Sequence, residues 1–65
     1  MDIEGKVIYH EDAKSWSFQG QGWDILHHIH PSSIKLDPED NGKRVVAVFI
    51  PCGLRPEAKI IGILE

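Results

Sequence analysis

Apolar residues along this chain come in short runs, and no helical period survives through a window long enough to make a helix. Breakers interrupt it throughout: Gly5, Gly20, Gly22, Pro31, Pro38, Gly42, Pro51, Gly53, Pro56 and Gly62. Between them lie alternating or β-branched stretches. Short strands punctuated by turn residues point to a small all-β barrel or sandwich.

The pattern predicts five strands. The first covers about Gly5 to His10, where Val7, Ile8 and Tyr9 suit a pleated surface. A turn at Glu11-Asp12-Ala13-Lys14 leads to a second strand at about Ser15 to Gln19. Trp16 and Phe18 share one of its faces, and Ser15 and Ser17 the other. After the tight loop Gly20-Gln21-Gly22, a third strand runs from about Ile25 to His30 and ends at Pro31-Ser32-Ser33. Lys35 to Gly42 is a polar, turn-rich loop. The fourth strand, about Lys43 to Ile50, is nearly all apolar, as a strand covered on both sides would be. Pro51 to Pro56 is a loop, and the fifth strand covers about Ala58 to Leu64. Val7, Ile29, Val45 and Ile61 are the expected core.

Composition narrows the picture. Sixty-five residues allow a single domain, 1–65, or one barrel cut from a larger protein. Such a chain buries only roughly 60% of its unfolded surface, so function belongs on a surface or in a shallow groove. The formal charge of −3 argues against a general DNA-coating protein but permits a local basic stripe. One cysteine, Cys52, cannot form an internal disulfide, which favours a reducing compartment. There is no apolar signal core and no run near the ~18 residues of a membrane span, so a soluble, cytoplasmic protein without membrane partners is expected.

Several segments together carry a family resemblance. Gly5-Lys6-Val7-Ile8-Tyr9-His10-Glu11 stands where the cold-shock domain family opens with Gly-Lys-Val and Trp-Phe-Asn. Lys14-Ser15-Trp16-Ser17-Phe18-Gln19 falls at the distance of its first RNA-binding signature, Lys-Gly-Phe-Gly-Phe-Ile. His27-His28-Ile29-His30-Pro31-Ser32-Ser33-Ile34 falls on the second, Val-Phe-Val-His-Phe followed by Ser-Ala-Ile. Gly42, Val45, Ala47, Phe49, Pro56, Glu57, Ala58 and Ile61 track the family's closing strands. The chain thus resembles a cold-shock domain over nearly its whole length.

The resemblance implies a five-stranded antiparallel OB-type barrel that binds single-stranded RNA or DNA, as an RNA chaperone or regulator. It implies stacking of bases on Tyr9, Trp16 and Phe18, with Lys6 and Lys14 near the phosphates. These aromatic residues have two readings, an exposed stacking platform or core packing; for Trp16 and Phe18 the alternating serines leave no other binding face and favour the platform. Val7 shares the parity of Tyr9 and belongs to the core, which leaves both readings of Tyr9 open. His10 and His28 stand where the family has Phe, and His30 at its usual His. Imidazole also stacks on bases. His27 replaces a buried Val, so it needs a hydrogen-bond partner or a strand shifted by one residue. Glu11 and Asp12 weaken phosphate approach, Pro31 removes an aromatic, and Ser15 and Ser17 replace two glycines.

Other chemistry is less well supported. His10, His28 and His30 could hold Zn²⁺ with one open position, but half-exposed polar residues on a sheet explain them better, and neither metal nor cofactor is expected. No metalloprotease motif, phosphate loop or nucleophile elbow is present, and an enzyme is not expected. The rival expectation is a protein-interaction module or homodimer, in which the barrel persists and Trp16, Phe18 and Ile29 meet a partner.

Overall fold

The computed structural model describes residues 2–51 and 53–64; Cys52, expected to be an ordinary loop thiol, lies outside them. The strands are β1 (Ile3–His10), β2 (Ser15–Gly20), β3 (Leu26–His28), β4 (Arg44–Ile50) and β5 (Glu57–Ile63), with one 3-10 turn at Pro38–Asp40. They form one sheet in the order β3-β2-β1-β4-β5, with every neighbouring pair antiparallel. Among the described residues, no helix is long and apolar enough to cross a membrane.

The sheet coils until its outer strands approach, yet it does not close. Among the described residues, one isolated parallel bridge, Ile29–Ala58, joins the chain after β3 to β5. Hydrogen bonds extend this seam: His30 N–H donates to the Ala58 carbonyl at 2.8 Å and Ile34 N–H to that of Ile60 at 3.0 Å. The Ser33 hydroxyl accepts from Ile60 N–H at 2.9 Å. The strand order and this incomplete closure are those of an OB-type barrel.

Coiling depends on β1, which serves both halves of the sheet. Gly5 stands opposite Gly20 on one side and Val45 on the other. A Cβ on Gly5 would lie 2.2 Å from the Gln19 carbonyl oxygen and 2.7 Å from the Phe18 ring. One on Gly20 would lie 2.4 Å from the Trp23 indole. These close approaches require glycine. Inside the coil, Val7, Phe18, Val45, Ala47, Ala58 and Ile60 are fully buried. Ile3, Trp16, Ile29, Leu36 and Phe49 pack around them. Burying each large apolar side chain contributes roughly 1.5–3 kcal/mol, so this short list holds the domain together.

Val7 and Val45 lie where expected, and Ile29 is half-buried against the core. Ile61 is a correction: it is 42% exposed, and Ile60 takes the core position. The reason is a bulge. Ala47 pairs with Ile60 but Val46 pairs with Gly62, so Ile61 is an extra residue on β5. The β3 ladder is also shorter than predicted, and Ile25 is left 62% exposed.

The loop after β3 returns to β1. Gly42 N–H donates to the Val7 carbonyl at 2.8 Å, and Tyr9 N–H to the Asn41 side-chain oxygen at 2.9 Å. Asp40 fixes this loop by accepting from the Lys43 ammonium at 2.9 Å and from Asp37 N–H at 3.0 Å. The Lys43 hydrogen bond foremost, then that of Asp37, holds the Asp40 carboxyl below its ordinary pKa.

Two outcomes are expected. Gly20→Ala displaces the Trp23 ring and lowers unfolding free energy by roughly 1–3 kcal/mol in urea titration, whereas parent-like stability would contradict the packing. A depressed folded pKa means that ionised Asp40 stabilises the fold above the unfolded-state value, and that this contribution vanishes as pH falls through the folded value. Asp40→Asn should therefore be less stable than the parent at neutral pH, with the gap narrowing below pH about 4. A gap independent of pH would remove the Asp40–Lys43 bond from the account.

Candidate functional site

The two faces of β2 decide where chemistry can occur. Trp16, Phe18 and Gly20 alternate toward the interior, opposite Tyr9, Val7 and Gly5 of β1. Ser15, Ser17 and Gln19 occupy the outer face. Phe18 is therefore a correction: its ring is 0% exposed and meets the edge of Phe49 at 5.9 Å and 76°. It fills the core and offers no platform for a base. Trp16 shares its parity but lies near the β1–β2 turn, where the interior opens, and it stays half-buried. Its indole packs on Tyr9, also half-buried, at 4.9 Å and 49°.

The remaining candidates lie outside or beyond this layer. Lys6 is exposed on the outer face of β1, between Gln19 and Arg44 in register. His10 is half-buried, with its Nε2 2.8 Å from the Ser17 hydroxyl. His28 is exposed on β3, directly opposite Ser17. Lys14 is exposed in the turn before β2, in the left-handed region at φ 51°. His30 lies past the end of β3, where its Nδ1 accepts the Ser32 N–H at 3.1 Å and contacts the Ser32 hydroxyl at 2.6 Å.

A groove of ≈ 400 Å³ gathers part of this set. Trp16, His28 and His30 line it together with Ser15, Ile34 and Lys35. Lys35 was not among the candidates from sequence. It enters because residues 30–34 are hydrogen-bonded along β5, which carries the following residue to the rim of the groove. No local motif signals this; only the pairing of Ile34 with Ile60 does. Lys6 belongs instead to a second cleft, with Gln19, Trp23 and Arg44. Among the described residues, no group of three or more His, Cys, Asp or Glu side chains is arranged to hold a metal ion.

His27 resolves the question of register. It pairs with Phe18, so β3 is not shifted, and its ring turns inward. There it meets Phe49 at 4.8 Å and Trp23 at 5.7 Å. Trp23 in turn stacks on Phe49 at 5.7 Å and 12°. This cluster plugs the end of the barrel near Gly20. The His27 Nδ1 is buried without a hydrogen-bond partner.

No family model matches the chain, and no curated protein or solved structure is significantly similar to it.

An unpaired buried nitrogen costs stability. His27→Leu keeps the volume close and removes that atom, so it should raise unfolding free energy by roughly 1 kcal/mol in denaturant titration. A less stable variant would mean that the imidazole is held by more than its aromatic contacts.

Proposed function

We propose that this chain binds single-stranded RNA or DNA in the groove between β2 and the segment 30–36. The observation that carries the reading is the assembly of one indole, two imidazoles and one ammonium, from Trp16, His28, His30 and Lys35, around a single hollow. OB barrels use the β2–β3 face and its flanking loops to hold oligonucleotides. Bases stack on indole and imidazole rings regardless of sequence, and Lys35 meets a phosphate between them.

The neighbours refine this picture. Tyr9 buttresses the Trp16 ring, and Ser17 hydrogen-bonds His10 on the outer face next to His28. Lys14 stands in the turn that leads into Ser15, close behind Glu11 and Asp12. With a formal charge of −3, the chain draws more of its affinity from stacking than from counterion release. A protein of this kind keeps RNA single-stranded, as a chaperone or regulator does. It acts in solution, in a reducing compartment such as the cytoplasm.

One observation favours a second reading. Leu54 is fully exposed in the β4–β5 loop, and Trp23, Ile25 and Leu26 are exposed at the entry to β3. Exposed apolar side chains of this kind suit a protein partner or a second copy of the chain.

Fluorescence titration with short oligonucleotides separates the two. Trp16→Ala should weaken binding by roughly 1–3 kcal/mol at fixed salt. Lys35→Ala should reduce the slope of log affinity against log salt by about 0.7, one lost single-strand phosphate contact. Leu54→Ser should leave both unchanged. A parent protein that binds no oligonucleotide at low salt, yet dissociates from dimer to monomer on Leu54→Ser, would replace the first reading with the second.

A further inference from the structure

The second cleft, ≈ 430 Å³, lies at the other end of β2 from the groove. Ser15 lines the groove and Gln19 lines the cleft, and both belong to the outer face of the same strand. Their separation along β2 is about 13 Å, at about 3.3 Å per residue. Between them the outer face carries Ser17, flanked by Ile8 and His28. A strand lying in the groove and following β2 therefore runs into this cleft. An OB fold covers about 4–16 nucleotides, so both hollows fall within one binding path.

The chemistry of the cleft differs from that of the groove. Its walls carry hydrogen-bond acceptors at Gln19, Gln21, Glu4 and Asp24, and cations at Lys6 and Arg44. Arg44 is engaged with Glu4 at 3.7 Å. Gln19 is already oriented: its Nε2 donates to the Trp23 carbonyl at 2.7 Å, which leaves Oε1 as an acceptor. The loop behind it is pinned by Trp23 N–H to the Gly20 carbonyl at 2.9 Å and by Gln21 N–H to the Glu4 carbonyl at 3.0 Å. Pre-oriented acceptors read hydrogen-bond donors without an ordering cost at the moment of binding.

From this geometry we infer that the cleft is a base-reading subsite, selective for a base that bears an exocyclic amino group. Adenine, cytosine and guanine present such donors, and thymine and uracil present carbonyl oxygens in their place. A carboxylate such as Asp24 accepts from an amino group and repels a carbonyl. Gln19 adds the adjoining acceptor, and Lys6 neutralises the phosphate at the rim. The inference rests on the single-strand reading above and adds to it a sequence preference at one position.

The test uses oligothymidines of about eight nucleotides, within the OB site size, with a single cytosine or adenine moved through each position. The parent should bind best when the amino-bearing base stands at one particular position, by roughly tenfold over oligothymidine. Asp24→Asn should shrink that preference partly by raising oligothymidine affinity, since the carboxylate's repulsion of the carbonyl is lost, and Gln21→Ala should shrink it while leaving oligothymidine affinity near the parent value; both side chains are exposed and no side-chain hydrogen bond ties either to the fold. Near-ultraviolet circular dichroism checks that the variants stay folded. Trp16→Ala should weaken every oligonucleotide alike and keep the preference. Binding without positional preference, or a preference unchanged in both variants, would overturn the subsite and spare the single-strand reading. No binding by the parent to any of them would overturn both.

Discussion

Where Gly5 faces Gly20 there is no Cβ on either strand, and the rest of the structure depends on that gap. The Phe18 ring and the Gln19 carbonyl fill the space beside Gly5, and the Trp23 indole fills that beside Gly20. A side chain at either position would push β1 from β2 or drive a ring out. Because the gap admits Phe18, the interior has a large side chain to pack against Val7 and Phe49. Because it admits Trp23, the end of the barrel is plugged with no help from the unclosed seam between β3 and β5. A domain of this size has few buried side chains, and the loss of one large contact is a sizeable part of its stability.

The same constraint sets the character of the outer surface. With Phe18 drawn inside, β2 turns serines and a glutamine outward, and β1 and β3 add Lys6, His10 and His28. Such a face hydrogen-bonds more than it stacks. The stacking that is available gathers at one end, where Trp16 meets the segment after β3, and the hydrogen-bonding at the other, around Gln19 and Asp24. On the proposed reading, a single strand crossing this face would be gripped at its bases at one end and read at the other. The arrangement of side chains differs from the continuous aromatic surface that the cold-shock resemblance implies.

Much of the fold was legible in the residues. Glycine and proline punctuation located every strand, but the apolar run at Val45–Phe49 is not buried on both faces: Val45 and Ala47 are buried, and Val46 and Val48 between and beside them are only half-buried. The faces of β2 were harder. Ser-Trp-Ser-Phe has a plain amphipathic reading, in which the aromatic residues point inward, and the resemblance favoured the opposite one. The packing follows the plain reading for Phe18, because the void beside Gly5 needs a ring. Ile61 was misplaced because a bulge adds one residue to β5 and alternation alone cannot reveal it. Lys35 was missed because its position depends on long-range hydrogen bonds between residues 30–34 and β5. His27 was rightly singled out as unusual, and its answer, a ring held by aromatic neighbours with an unpaired nitrogen, required the tertiary structure.

Amide chemical-shift mapping during titration with a short single-stranded oligonucleotide tests the central claim most directly. The account predicts that the largest shifts fall on Ser15–Gln19 and on residues 28–36, with the interior around Val45 and Ile60 undisturbed. Shifts that are absent at saturating oligonucleotide, or confined to residues 53–56 and the exposed Ile25 and Leu26, would contradict it.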